Sequence, residues 1–551
     1  MSLGSFGHRI GSRRSARKLS RLNTQPMQCV VIGGGIAGLA TAGLLARDGH
    51  QVTLLDKGTE LGGRAGRWSA GGFTFDTGPS WYLMPQVIDH WFALMGSSAA
   101  AELDLVALDP AYRLFSGEGD APLDVRTGRV EASGLFESLD PGSGKRLERY
   151  LDSASDTYEM AKQHFLYDEF ANFKGLLNGP VLARLPKLAR LLLTSLDTFV
   201  ARSFGNLRQR QILGYPAVFL GTTPFKAPAM YHLMSHLDLT EGVAYPQGGF
   251  AALIDSMERL VRAEGVDIKL GATATQIISG PVPGGARAEA VAWTDAQGES
   301  HRSAARIVVG AADLHHIETR LLPEPLREHP ASAWAKTDPG PSAVLVCLGV
   351  RGALDMLTHH NLFFTSDWRD NFTRIDTGSE LAAETSIYVC APSTTDTSVS
   401  PAGDSNLFIL VPSPAAPQWG HGGLDGQGSE MVERVADAAI DQLAAWAGIT
   451  DLRDRITLRR TVGPADFVDD VNAFRGSALG PAHTLRQSAF FRPGIRNHKL
   501  EGLFYAGSSV RPGIGVPMCM ISAELVLKAV RGDTRSGPVE VGSSLAAKAG
   551  K

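Results

Sequence analysis

VVIGGGIAGLA, residues 30–40, sets four glycines within six positions directly behind an apolar run. Gly33, Gly35 and Gly38 match G-x-G-x-x-G at the junction of a strand and a helix, the context that gives the motif its meaning. The first glycine allows the tight turn, the second lets backbone N–H groups approach a pyrophosphate, and the third lets the helix pack close to the sheet. The pyrophosphate then rests at the positive end of the helix. Around this point Gln28–Ile32 reads as a buried parallel strand, Gly35–Asp48 as a helix and Gln51–Leu55 as a second strand, together a βαβ unit. The uncharged stretch from Cys29 to Ala46 has the length of a membrane span, but its three consecutive glycines and the closing Arg47 and Asp48 favour strand, turn and helix.

Asp56 closes the second strand 18 residues beyond Gly38, where a carboxylate accepts hydrogen bonds from ribose hydroxyls and repels a 2′-phosphate. That disfavours NADP. Gly62, Gly63 and Arg64 follow at once, offering a second close backbone approach and a guanidinium for phosphate oxygens. A plain nicotinamide site demands neither, so FAD is the expected dinucleotide.

The chain has 551 residues, 44% apolar and 20% charged, with a net charge of −4. Such a length exceeds one ordinary core, and no field here is strong enough for nucleic acid, which is set aside as a partner. Cys29, Cys347, Cys390 and Cys519 form no CxxC pair and read as reduced, small apolar residues of a cytoplasmic protein. Residues 1–26 carry Arg9, Arg13, Arg14, Arg17, Lys18 and Arg21 without the apolar centre of a secretory signal. They are expected to be a disordered basic leader, or an over-long start upstream of Met27. Residues 534–551 read as a disordered tail.

Further sheet-like runs lie at Val266–Ile278, Arg306–Val309 and Leu503–Ala506, the last leading into a helix near Gly515. A helical stretch, Leu147–Leu239, and a mixed region with strands at Ala343–Val350 and Leu407–Val411 separate them. The expected division is a discontinuous nucleotide domain of residues 27–110, 241–315 and 456–533. A substrate and membrane-facing domain takes residues 111–240 and 316–455.

Asp56 followed by GGR after G-x-G-x-x-G resembles the flavin-dependent amine oxidase and carotenoid desaturase superfamily. GFTFDTGPSWYLMP at 72–85 resembles bacterial phytoene desaturases in particular. GLFYAGSSVRPGIGVPMCMISAEL at 502–525 is similar to their last flavin-contacting segment. AYPQGGFAALIDSM at 244–257, DFVDDVNAFRGSALG at 466–480 and QSAFFRPGIRNHKLEGLFYAG at 487–507 extend the resemblance from Met27 to about Asp533. It implies an α/β fold: a Rossmann-like FAD-binding domain of glutathione-reductase type, interleaved with a mixed α+β substrate domain. It also implies that Gly33, Gly35, Ile36, Ala37 and Gly38 hold the pyrophosphate, Asp56 the adenosine ribose, and Gly63 and Arg64 the phosphate and ribityl region. Ala274 would lie near adenine, and Gly507, Ser508, Gly515 and Val516 near the ribityl chain and isoalloxazine. Two positions depart from the pattern. Asp56 stands where Glu is commoner, and Ser508 where amine oxidases carry an acid, which favours the desaturase branch.

The implied reaction is desaturation of phytoene toward neurosporene or lycopene, by hydride transfer from an allylic carbon to flavin N5. No second G-x-G-x-x-G follows a strand, so quinone or dioxygen is the expected electron acceptor rather than a bound nicotinamide. A C40 carotenoid offers no heteroatom to grip, and its binding must come from apolar burial at about 25 cal/mol per Å². Polar catalytic residues become optional; Asp152, Asp156 and Arg511 are candidates by region only. His315–His316 and His359–His360 are adjacent pairs whose side chains are expected to diverge, as surface or capping histidines, and no metal is expected. Within residues 174–204, Lys174, Arg184, Lys187 and Arg190 alternate with Leu182, Leu185, Leu188, Leu191 and Leu192, a pattern that suits a helix lying on an anionic membrane. The expected location is cytoplasmic, peripheral to the membrane. Alternative readings are a hydroxycarotenoid desaturase, a carotene isomerase, an amine oxidase or a flavin-free prenyl-lipid carrier.

Overall fold

The computed structural model describes residues 25–542 apart from 170–178 and 379. The basic leader and the last nine residues lie outside the described residues, as does Lys174. Five parallel strands form the first sheet: β1 (Gln28–Ile32), β2 (Gln51–Leu55), β3 (Asp267–Lys269), β4 (Ile307–Gly310) and β5 (Leu503–Tyr505), in the spatial order β5-β4-β1-β2-β3. Helix α1 (Ile36–Arg47) links β1 to β2, and helix α2 (Val516–Arg531) follows β5 and packs along α1. Sandwiched in this way, α1 is buried around most of its girth, so small residues and leucines replace a polar face. Arg531 and the buried Asp48 pair at 2.6 Å where the two helices end.

The expected strands and helices of this domain are all present, with one difference. Val266–Ile278 divides: its first part is β3, while Thr273–Val282 turns into a separate antiparallel sheet with Gly285–Thr294 and Ser300–Ala304.

A seven-stranded sheet carries the second layer, in the order Ile456–Val462, Ser342–Val350, Ser405–Ser413, Ile387–Cys390, His360–Phe363, Tyr112–Phe115 and Leu123–Val125. Ile456–Val462 corrects the sequence division: its antiparallel register on Ser342–Val350 makes it an edge strand here, not part of the nucleotide domain. Ser342–Val350 is buried throughout because both its faces are covered. Val344, Val346 and Leu348 pack with the helix Glu430–Trp446, and Ala343, Leu345 and Cys347 turn toward Phe73, Phe75 and Phe408.

The helices Ser143–His164 and Gly179–Leu193 belong to the expected helical stretch. The side chains of Leu182, Arg184 and Leu185 lie outside what is described. Leu188 and Leu191, assigned by the sequence to a membrane-facing stripe, are buried instead, and Lys187 pairs with Asp156 at 2.7 Å. These two leucines are spent on the protein, while Leu193 at the helix end is exposed. None of the described helices is long and apolar enough to cross a membrane.

Candidate active site

A single cavity of about 1100 Å³ runs from the β1–α1 turn to the inner face of the seven-stranded sheet. At one end Gly33 adopts φ +105°, a left-handed conformation that favours glycine, and donates its N–H to Leu55 O at 2.8 Å. Gly38 lets α1 close on that turn: a Cβ there would stand 1.8 Å from Gly33 O. Gly35 differs, because a Cβ on it would meet only Gly62 O at 3.6 Å and Gly63 Cα at 4.0 Å and would otherwise project into the cradle. Gly33, Gly35, Ile36 and Ala37 line the cavity; Gly38 does not, and serves the packing of α1 alone.

Asp56 also lines the cavity. Its two oxygens accept N–H bonds from Gly34 at 2.5 Å and Gly58 at 2.6 Å, which fix the carboxylate while leaving each oxygen a lone pair for a ribose hydroxyl. Gly62, Gly63 and Arg64 form the adjacent wall. The Arg64 Nε has no hydrogen-bond partner, and Nη2 reaches only Ser477 O at 3.5 Å. Burial holds this guanidinium below its usual range, against the opposing pull of Asp313. A half-buried, under-bonded cation beside a glycine cradle calls for an anion, and a dinucleotide pyrophosphate supplies one.

The late segment meets the early one here. A Cβ on Gly507 would come within 3.5 Å of Ala37 Cβ, and Gly507 N is held by the buried Ser522 hydroxyl at 2.8 Å. Gly507, Ser508, Gly515 and Val516 line the cavity with the N-terminus of α2, and Ala274 contributes from the far side. Arg492 stitches this corner together from behind. It is fully buried and donates to the carbonyls of Val510 at 3.2 Å, Gln487 at 3.1 Å, Pro481 at 3.2 Å and Ser508. Burial lowers it to about 10. His483 adds a second brace, its Nε2 accepting from Ile514 N at 3.2 Å and its Nδ1 lying 2.7 Å from the Tyr231 hydroxyl. The sequence reading assigns neither residue a role, since nothing in its local pattern marks an arginine that will bind four carbonyls or a histidine that will bind a distant N–H and hydroxyl.

Beyond the cradle the walls become apolar and aromatic, lined by Trp81, Tyr215, Phe219, Phe364, Leu345 and Phe408, with the Trp81, Tyr215 and Phe219 rings packed on one another. Ser80 and Tyr388 share a hydrogen bond of 2.6 Å on this wall. Of the three catalytic candidates only Arg511 lines the cavity, and its Nε donates to Arg492 O at 3.0 Å. Asp152 is turned outward in an ion pair with Arg129 at 2.6 Å, and Asp156 is paired with Lys187, so neither aspartate faces the cavity. The cysteines are unpaired, and burial pushes the Cys29 and Cys347 thiols up to about 12, which suits inert core residues.

Comparison with known proteins agrees with this geometry. Residues 36–530 match the family described as flavin containing amine oxidoreductase. The chain is 38% identical over 500 residues to a carotenoid 3,4-desaturase of Haloarcula japonica, covering 91% of this chain and 97% of that one. It is 28% identical to a 4,4′-diapophytoene desaturase (4,4′-diaponeurosporene-forming) of Staphylococcus aureus, covering 93% of this chain and all of that one. Among solved structures, an oxidoreductase from Methanosarcina mazei superposes with a TM-score of 0.58 at 16% identity, over 91% of this chain and 100% of that one. Putrescine oxidase bound to putrescine superposes with a TM-score of 0.58 at 14% identity, over 92% and 99%. At such identities the two structures speak for the fold alone.

Proposed function

The chain belongs to the flavin-containing amine oxidoreductase family and is an FAD-dependent oxidoreductase; from that premise we propose that it desaturates a linear carotenoid, introducing double bonds into phytoene toward neurosporene and lycopene. The observation that carries this reading is the continuity of the cavity: the dinucleotide cradle opens directly into an aromatic, aliphatic space rather than into a polar pocket. The carotenoid desaturases at 38% and 28% identity support it along nearly the whole chain.

FAD, when bound, supplies a two-electron acceptor able to take a hydride from carbon. The chain's residues supply position. The Gly33–Gly38 turn, Asp56 and Arg64 hold the dinucleotide, and the Gly507–Val516 corner, braced by Arg492, fixes the other end of the slot. Trp81, Phe219, Phe364 and Leu345 orient a polyene by contact alone and exclude water, which keeps the reacting carbons in one geometry. Quinone or dioxygen serves as the oxidant.

The substrate partitions into lipid, and we assign the mouth of the cavity to a membrane surface. Leu193, 78% exposed, ends the helix Gly179–Leu193, whose Leu192 lines the cavity; Phe491, 68% exposed, belongs to a segment whose Leu485, Ala489 and Phe490 also line it. Two exposed apolar side chains at the rim of an oily cavity suit a bilayer interface.

A second reading is favoured by the greater identity to the 3,4-desaturase: the chain would act on an already unsaturated carotenoid. Incubating the FAD-loaded protein in liposomes with phytoene or with a more unsaturated carotene, and reading the polyene absorption bands, separates the two. New bands from phytoene support the first reading, and bands only from the unsaturated carotene the second. Turnover of neither refutes both.

A further inference from the structure

His359, His360 and Cys390 gather behind the cavity wall in an arrangement the proposed reaction does not use. On a regular strand, neighbouring residues point to opposite faces, which would separate the two histidines. The strand begins only at His360, however, and Thr358 is tied to Asn361 by bonds in both directions, Thr358 N to Asn361 Oδ1 at 2.9 Å and Asn361 Nδ2 to Thr358 O at 2.7 Å. This turn takes His359 out of the alternation. The two rings converge instead, 4.6 Å apart between centroids at 79°, and both are buried, contrary to their expected surface or capping role. His360 stands directly opposite Cys390 in the antiparallel register of the sheet, which puts the thiol on the same side.

A ring nitrogen of each histidine and Cys390 Sγ all lie within 4.8 Å of one another, with Sγ 3.8 Å from His360 Nδ1. One ion shared by three donors in a plane, with nitrogen at about 2.0–2.1 Å and sulfur at about 2.3 Å, sets N···N at about 3.5 Å and N···S at about 3.8 Å; Sγ and His360 Nδ1 already stand at that spacing, and the widest pair needs to close by at most about 1 Å. His359 Nδ1 is held by the Thr395 hydroxyl at 2.9 Å and His360 Nδ1 by the Tyr388 hydroxyl at 2.7 Å, while Nε2 of each ring has no partner. At His359 one nitrogen oriented by a neighbour and the other bare is how a ligating histidine is prepared, whereas at His360 the nitrogen beside Sγ is Nδ1, which would exchange the Tyr388 hydroxyl for the ion. In a dry core such bare nitrogens lose their hydration for nothing unless a ligand replaces it.

We propose that His359, His360 and Cys390 bind one soft monovalent cation, copper(I). Two imidazoles and a thiolate are soft enough for copper(I) or zinc(II), and the number of donors selects between them. A closed zinc site takes four ligands, whereas three donors gather here, between Trp81, stacked on His360 at 4.6 Å, and Tyr245, 4.4 Å from His359. The site backs onto Trp81 and Tyr388, which line the cavity, so an ion there stiffens the substrate wall.

The test uses the FAD-loaded protein, titrated anaerobically with copper(I) against bathocuproine disulfonate and, separately, with zinc(II). We expect one copper(I) per chain, and X-ray absorption showing one Cu–S bond near about 2.3 Å and two Cu–N bonds near about 2.0 Å. Cys390→Ser and His359→Gln weaken binding by more than about tenfold, the least that loss even of an outer partner costs; retained FAD reports that these variants fold. Cys347→Ser, an equally buried thiol elsewhere in the sheet, leaves binding unchanged. Failure of the wild-type protein to hold copper(I) against the competitor, a coordination shell without sulfur, equal binding by Cys390→Ser, or preference for zinc(II) overturns the proposal.

Discussion

One methyl group placed at either of two glycines three residues apart, Gly35 and Gly38, separates cofactor binding from folding. At Gly35 the backbone has φ −71°, open to any residue, and an added Cβ finds ordinary contacts at 3.6 and 4.0 Å. Gly35→Ala loses some quality as the residue capping α1 and regains about 0.4–1 kcal/mol from a stiffer unfolded chain, so the FAD-free protein keeps its stability to within about 1 kcal/mol. The methyl instead occupies the cradle and pushes back the pyrophosphate. Loss of one charged hydrogen bond, about 1.5–3 kcal/mol, weakens FAD binding by about 10- to 150-fold. At Gly38 the same methyl would lie 1.8 Å from Gly33 O, a backbone atom with no rotamer to yield. Gly38→Ala therefore costs about 3 kcal/mol or more through displacement of α1, with or without FAD. Equilibrium FAD titration of the apoproteins and urea unfolding of the same samples measure both effects. The reasoning is refuted if Gly35→Ala binds FAD like wild type, or if Gly38→Ala unfolds at the wild-type urea concentration.

Further outcomes follow from the same geometry. Arg64→Met should weaken FAD binding by about 10- to 150-fold while leaving the FAD-free protein no less stable in urea, because it removes a half-buried guanidinium whose Nε has no partner; a large loss of apoprotein stability contradicts the assigned role. The buried Asp238 carboxyl, which accepts from the Tyr112 hydroxyl at 3.2 Å, is raised to about 7 from 3.8 by burial. The folded protein thus holds this proton more tightly than the unfolded chain, so its stabilising effect is complete below about pH 4 and is lost as pH rises to about 7. Asp238→Asn cannot ionise, and its stability relative to wild type should grow by about 2.5 kcal/mol between pH 5 and pH 8, read from urea unfolding at those two values; a gap independent of pH refutes it. Phe491→Asp should lower sedimentation with anionic vesicles by about tenfold, the value of most of one phenylalanine's burial, with FAD content unchanged; unchanged sedimentation removes Phe491 from the membrane contact.

The amino-acid sequence by itself determined the nucleotide domain, because its signals are local. Gly33, Gly35 and Gly38 act within one turn, Asp56 ends the strand that pairs with theirs, and alternation or apolar runs mark β1, β2, β4 and β5 without reference to any other part of the chain. The partnership of distant segments was legible only through resemblance, and the structure supplies its physical form in the approach of Gly507 to Ala37 and the packing of α2 along α1. Tertiary structure alone decided the rest. Ile456–Val462 reads as a strand from its own residues, but which sheet it joins depends on its register with Ser342–Val350. Leu188 and Leu191 have the spacing of a surface stripe, and only their neighbours reveal that they face inward. Arg492 binds carbonyls gathered from four places, and His359 and His360 converge on Cys390 because a side-chain turn at Asn361 overrides strand alternation. Local pattern reports the conformation a segment prefers, whereas burial and partnership are set by whichever other segments arrive beside it.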